Sequence, residues 1–358
     1  MSWNRVPTAD MRLRSALLAL LCGALLVPAA AGAQADADHP FAGHGMWIWQ
    51  LPRAAGGDPV GIAAQAQAAG VDTLIIKAAQ GPTRWTQFSP DLVSALQAEG
   101  FTVCAYQRLE GKRMVAQAAA AAAAVDAGAD CFVIDAEAEL EGRYNEARQY
   151  VAALRQRIGD DFPVAFTSFP YADLHPLLPY SVFLGPGGAT VNLPQIYWKD
   201  IGNSPSIAFA RTVATNRLYQ RPLAPVGQLY SKPSRSDVLT FRRLALAYDV
   251  EGTSWWSWDS ALASGWSAIA RAVTTPALPA SVPDYPTVRP GARNDYVVWA
   301  KDHLRALAYT VTTDTRFDAT TARAVQAFQA DNGLPVTGSL DNDTWTALLA
   351  AEPLDASD

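Results

Sequence analysis

At 358 residues the chain exceeds what one ordinary core takes, so a large domain and a small one are expected. Half of the residues are hydrophobic and 17% are charged, which excludes the disordered class. A net charge of −6 without any Lys/Arg run argues against nucleic acid as a partner, because a line of phosphates needs a cationic surface.

Arg5, Arg12 and Arg14 precede an apolar run from Ala16 to Ala31, and Ala31-Gly32-Ala33 supplies small residues for cleavage. Residues 1–33 are therefore expected to be an export signal, cut near Ala33. The run contains Pro28 and falls short of the roughly 20 residues that span a bilayer, so no membrane association is expected after cleavage. Leu21 stands before Cys22, where a lipoprotein would carry a small residue. The mature chain would be secreted, whether to the periplasm, the cell surface or the medium, and a monomer is expected. Its excess of acidic residues gives no attraction to anionic wall polymers, so recognition would use shape, stacking and hydrogen bonds. Cys104 and Cys131 could bridge in an oxidising compartment. Both fall inside expected strands, where bridging geometry is demanding, so two buried thiols are the expectation.

From Gly45 onward short apolar runs alternate with helical patterns, the signature of βα units around a parallel sheet. Eight strands are expected: Gly45 to Leu51, Asp72 to Ala78, Thr102 to Gln107, Cys131 to Glu137, Pro163 to Ser168, Leu193 to Trp198, Ala224 to Tyr230 and Thr253 to Trp258. Eight units over residues 40–273 fit an α/β fold of the (β/α)₈ TIM-barrel type. A doubly wound sheet would show a Gly-x-Gly-x-x-Gly turn after the first strand, and none is present. The alanine run from Ala118 to Ala124 suits the helix after the third strand, alanine being the best helix former.

Thr274 to Asn294 carries five prolines and no apolar period, so residues 274–293 read as a semi-extended linker. Beyond it, Phe317-Asp318-Ala319-Thr320-Thr321 is echoed by Leu340-Asp341-Asn342-Asp343-Thr344, an internal repeat. Asp318 and Asp341 are expected N-caps. Ala322, Val325 and Phe328 share one helical face, as do Trp345 and Leu348, with Val297, Leu304 and Leu307 as the core side of a first helix. Residues 294–352 thus read as a small three-helix bundle. Through Thr321-x-x-x-Val325-x-x-Phe328-Gln329-x-x-x-Gly333-Leu334 and Gly338-x-x-x-x-x-Thr344-Trp345, this tail resembles the helical peptidoglycan-binding domain. It departs from that family at Lys301, where glutamine is usual, and at Thr315, where a glycine is normal. The resemblance implies peptidoglycan as partner.

Ile134-Asp135-Ala136-Glu137 closes the fourth strand. Residues two apart on a strand share a face about 7 Å apart, so Asp135 and Glu137 can both enter the mouth of a barrel, where such folds do chemistry. A close carboxyl pair suits glycoside cleavage, since proximity raises one pKa. The plain alternative is a pair of rim ion pairs with Lys77 or Arg108. Aromatic residues gather at strand ends: Trp47 and Trp49, Tyr197 and Trp198, and Trp255, Trp256 and Trp258. Their flat faces suit pyranose rings, although one ring of each alternating pair is expected to face the outer helices. Gln195, Tyr197 and Asp259 are candidate hydrogen-bonding groups, Asp259 equally a cap.

Leu74-Ile75-Ile76-Lys77-Ala78-Ala79-Gln80-Gly81, Gly100-Phe101-Thr102-Val103-Cys104-Ala105-Tyr106 and Val133-Ile134-Asp135-Ala136-Glu137 resemble strands two to four of the family 25 glycoside hydrolases, lysozymes with a (β/α)₈-type barrel. The resemblance implies Glu137 as general acid and Asp135 as helper to the substrate's acetamido group or the oxocarbenium ion. Lys77 and Tyr106, on the resembling strands, are candidate sugar contacts with Trp47, Trp49, Trp256 and Trp258. It fails on the first strand, where family members carry an aspartate and this chain has Gly45-Met46-Trp47-Ile48-Trp49-Gln50. Family 18 chitinases share the closing Asp-x-Glu but keep another aspartate where Val133 stands. The expectation is a wall glycosidase of the muramidase sort, with a silent sugar-binding barrel as the alternative.

No metal or cofactor is expected. His39, His44, His175 and His303 are scattered and no His-Glu-x-x-His occurs, which disfavours zinc chemistry. Cys104 lies mid-strand, away from any histidine base, and no Gly-x-Ser-x-Gly elbow is present.

Overall fold

The computed structural model describes residues 39–274 and 281–351. The expected export signal lies outside them, as does part of the expected linker. Among the described residues nine strands form: β1 (Gly43–Ile48), β2 (Thr73–Gln80), β3 (Thr83–Arg84), β4 (Thr102–Arg108), β5 (Cys131–Asp135), β6 (Val164–Ser168), β7 (Val191–Ile196), β8 (Val226–Gln228) and β9 (Gly252–Trp256). All but β3 are parallel, and β1 pairs with both β2 and β9, so eight strands close into a barrel. Each of the eight expected strands is present. The two-residue β3 has no apolar pattern that would mark it, and returns antiparallel along the end of β2 through a turn at Gly81.

One helix follows each barrel strand: α1 (Pro59–Ala68), α2 (Pro90–Ala98), α3 (Met114–Val125), α4 (Tyr144–Ile158), α5 (Tyr180–Phe183), α6 (Pro205–Asn216), α7 (Arg235–Ala247) and α8 (Ala263–Ile269). The fold is a (β/α)₈ barrel, with the alanine run inside α3 as expected. Asp58, Ser89, Ser204 and Ser234 cap α1, α2, α6 and α7 by accepting from free first-turn amides.

Alternation along the strands divides the core in two. Inside the barrel lie Trp47, Ile75, Cys104, Tyr106, Cys131, Val133, Ala165, Val191, Leu193 and Val226. The opposite faces pack against the helices through residues such as Met46, Leu74, Ile76, Phe132, Ile134 and Phe166. Cys104 and Cys131 point into the barrel as directly paired residues of β4 and β5, with Cα atoms 4.5 Å apart, and they are joined by a disulfide. This corrects the expectation of two free thiols: adjacent strands in this register put both sulfurs on one face.

Three further helices form the tail: α9 (Asp295–Ala306), α10 (Ala319–Asp331) and α11 (Asn342–Ala351). The repeat is read out in matching caps. Asp318 accepts from the amide and hydroxyl of Thr321 at 2.8 Å each, and Asp341 accepts from the amide of Thr344 at 2.9 Å and from its hydroxyl. Val297, Leu304, Val325, Phe328, Trp345 and Leu348 are buried, with Ala322 and Leu307 partly so.

The tail is packed on the barrel in one compact unit. The second half of the expected linker is not a free spacer. Val288 pairs with Leu340, Arg293 with Arg316, and Tyr285 lies under the guanidinium of Arg217 at 3.5 Å. Helix α5 has only one turn, and α9 packs against it. Trp299 donates to the Leu218 carbonyl at 2.7 Å, and the buried Asp295 carboxyl accepts from the Ser181 amide (2.8 Å), the Ser181 hydroxyl (2.7 Å) and the Tyr219 hydroxyl (2.8 Å). No helix among the described residues is long and apolar enough to cross a membrane.

Candidate active site

The inward face of each strand can be followed to the mouth. Ile75 leads to Lys77, Cys104 and Tyr106 to Arg108, Cys131 and Val133 to Asp135, Val191 and Leu193 to Gln195, and Ser254 to Trp256. These endpoints surround a cleft of about 360 Å³ lined by Trp47, Trp49, Lys77, Gln80, Arg108, Asp135, Glu137, Glu139, Gln195, Tyr197 and Trp256. A register shift between Lys77 and Ala79 on β2 breaks the alternation, which is how Gln80 also reaches the cleft; bulges near sites re-aim side chains in this way.

Asp135 ends β5 and is 7% exposed. Its Oδ1 is buried without a hydrogen-bond partner, the nearest guanidinium nitrogen of Arg108 standing 3.8 Å away. Burial, reinforced by the negative charge of Glu137, pushes the Asp135 carboxyl up to about 8 against the opposing pull of Arg108 and Lys77. Glu137 is more exposed, salt-bridged to Arg108, and accepts from Gln195 Nε2 at 3.3 Å. Arg108 also binds Glu139 at 2.8 Å. Burial works against the guanidinium charge, but Asp135 and Glu137 outweigh it and raise the Arg108 pKa.

Lys77 is 4% exposed. Its ammonium donates to Gln80 Oε1 at 2.9 Å and sits over the rings of Tyr106 (5.0 Å) and Trp85 (5.5 Å). Burial lowers its pKa to about 8. Trp47, Tyr106 and Trp256 meet edge to face, with centroids 4.9 to 6.1 Å apart, and Trp47 is fixed by a bond from its Nε1 to Ser254 Oγ at 2.9 Å.

The structure brings Asp135, Glu137, Lys77, Trp47, Trp49, Gln195, Tyr197 and Trp256 together. Three expected contact residues lie elsewhere. Tyr106 sits one layer below the mouth, fully buried, with its hydroxyl unpartnered. Trp258 follows the end of β9 and packs edge to face on Trp266 at 4.7 Å, outside the cleft. Asp259 does not line the cleft either; both its oxygens accept backbone amides, from Trp49 and Gln50, each at 3.0 Å. Trp198 and Trp255 pack outward on Phe241, as alternation demands. Sequence reasoning missed Gln80 and Glu139 as cleft members, Gln80 being hidden by the register shift. Arg108 was expected only as a rim ion-pair partner of the two carboxylates, and it does pair with Glu137 there.

No curated protein matches the chain. Among solved structures, the barrel region is similar to the spore cortex-lytic enzyme SleL from Bacillus cereus (9% identity, 64% of this chain and 73% of that one, TM-score 0.49). It is also similar to an endo-β-1,4-mannanase from Thermotoga petrophila (9%, 62% and 69%, 0.48) and to a chitinase from Chromobacterium violaceum (12%, 64% and 98%, 0.45). Residues 293–348, which contain α9 and α10 and the first seven residues of α11, match the family model described as "Putative peptidoglycan binding domain".

Proposed function

We propose that the chain is an exported cell-wall glycosidase of the muramidase sort, its barrel cutting peptidoglycan glycan and its tail binding the wall. The observation that carries this reading is the carboxyl pair in the cleft: Asp135, its pKa pushed up to about 8 by burial and the Glu137 charge, lines the cleft with Glu137 among rings that fit sugar faces, both carboxyls facing Arg108. Such a pair holds one proton between two groups. Glu137 gives that proton to the glycosidic oxygen as the bond to the anomeric carbon breaks, and the leaving sugar departs as an alcohol. Asp135 resupplies Glu137 and steadies the acetamido group or the oxocarbenium ion. Water then adds to the anomeric carbon and returns a proton to the pair. Arg108 has to release Glu137 for this to happen. The tail match supports wall binding, and the disulfide supports an oxidising workplace outside the cytoplasm. The finer assignment, to the family 25 lysozymes, rests on the matching residues of β2, β4 and β5.

A second reading, a silent sugar-binding barrel, is favoured by the Arg108–Glu137 salt bridge and by the absence of a carboxylate on β1. Purified protein incubated with peptidoglycan distinguishes the two: the glycosidase releases new reducing ends, and Glu137→Gln lowers that rate by roughly 10²–10⁴-fold while co-sedimentation with walls persists. Sedimentation with no product from the wild type selects the silent barrel.

A further inference from the structure

Trp49 is the most exposed ring of the cleft, at 42%, and it sits just past β1, where a loop would ordinarily be free to wander. Here it is not free. Asp259, in the turn after β9, accepts from the amides of Trp49 (Oδ2, 3.0 Å) and Gln50 (Oδ1, 3.0 Å). Gln87, ahead of α2, donates from Nε2 to the carbonyls of Trp49 and Lys77 at 2.9 Å each and accepts from the Leu51 amide at 3.0 Å. Two side chains from loops on either side of β1 therefore hold both backbone polar groups of Trp49 and the next two amides, and one of them ties the segment to the strand that carries Lys77. A large apolar face left facing solvent on a backbone this firmly held is preorganised for a flat partner, because little freedom remains to be lost on binding.

We propose that Trp49 is the sugar-stacking platform of the cleft and that Asp259 is its positioning residue, acting on the glycan only through Trp49, with Gln87 in support. This deepens the glycan-binding reading and rests on it. Asp259 has no lone role at the ligand: both its oxygens are spent on amides and it lies outside the cleft lining.

The test is a titration of the full chain with a soluble β-1,4-linked N-acetylglucosamine oligomer, followed by tryptophan fluorescence and calorimetry. Trp49→Ala and Asp259→Ala are each expected to weaken binding by roughly tenfold, as loss of an aromatic anchor does, and the double variant to weaken it no further. Asp259→Asn, which keeps one acceptor oxygen, recovers most of the affinity, and Gln87→Ala gives a smaller loss with the same non-additivity against Trp49→Ala. A double variant weakened by the product of the two single losses overturns the proposal, since Asp259 would then touch the sugar itself. So does wild-type affinity in folded Asp259→Ala or Trp49→Ala. If the wild type binds neither the oligomer nor solubilised wall fragments, the glycan reading of the cleft falls, and this inference with it.

Discussion

Asp135 and Lys77 in the barrel's mouth, and Asp295 and Lys301 in the tail, are four buried charged side chains that the chain treats in two ways. In the tail, Asp295 accepts three hydrogen bonds at 2.7 to 2.8 Å, and Lys301 donates to Thr312 Oγ1, the Asp314 carbonyl, Asp314 Oδ1 and the Arg316 carbonyl. In the mouth, Asp135 Oδ1 has no hydrogen-bond partner and Lys77 has Gln80 alone besides ring faces. A buried polar group without partners costs stability. Where that cost is met by a full set of partners the group is architecture; where it is left standing beside an open cleft, the proposed function gives the group its use.

The largest expected effect separates activity from stability. Asp135→Asn is expected to cut glycan hydrolysis by roughly 10²–10⁴-fold while leaving the melting temperature unchanged or higher, because the variant removes a strained group. A sharp loss of stability would instead place Asp135 with Asp295 among the architectural charges.

Asp295→Ala tests the other side. Removing that carboxyl strands a Ser181 amide, a Ser181 hydroxyl and a Tyr219 hydroxyl in the seam between barrel and tail, at a cost of about 3 kcal/mol. Calorimetry is expected to show either a lower melting temperature or the single transition resolving into two, with the cleft's oligomer affinity unchanged. An unaltered melt would show that the seam does not depend on this carboxyl.

Titration sharpens the same contrast. Burial raises both carboxyls above the usual range, Asp135 to about 8 and Asp295 to about 6. The folded state therefore holds protons that the unfolded chain has released, and stability declines as pH rises from the ordinary carboxyl value near 4 through each folded pKa. Denaturant melts should show Asp295→Asn flattening the decline between about pH 4 and 6, and Asp135→Asn flattening it up to about pH 8. Hydrolysis by the wild type should fall on the alkaline side as the pair loses its proton near pH 8. A rate that holds to pH 10 would remove Asp135 from proton transfer.

How much of this was legible in the sequence follows the range of the interactions. Barrel strands announce themselves locally by apolar runs, and the period of two carried Asp135 and Glu137 to the mouth. Trp258 and Asp259 fall past the end of β9, where the chain turns and alternation no longer says which way a side chain points. The disulfide depended on the β4–β5 register, and the docking of α9 on the one-turn α5 joins residues more than a hundred positions apart, such as Ser181 and Asp295; neither leaves a local pattern. Tail caps were legible because Asp-x-x-Thr is a local device.

The smallest effect expected is at Lys301, one of the two positions where the tail departs from the domain it resembles. In the second repeat Gln329 holds the following loop, donating to Thr337 Oγ1, the Ser339 carbonyl and Thr344 Oγ1 and accepting from the Gly338 amide. Lys301 serves the loop of the first repeat with an ammonium instead, and its hydrogen bond to Asp314 holds that carboxyl below the usual range. Lys301→Gln exchanges an ammonium's three N–H donors for an amide's two, but it also relieves the burial of a charge, so the loss should be about 1 kcal/mol, or roughly 2–4 °C in melting temperature. Lys301→Met supplies no donor and should cost more. If glutamine and methionine cost the same, the loop is held by the charge itself, and Lys301 would differ from Gln329 in mechanism as well as in identity.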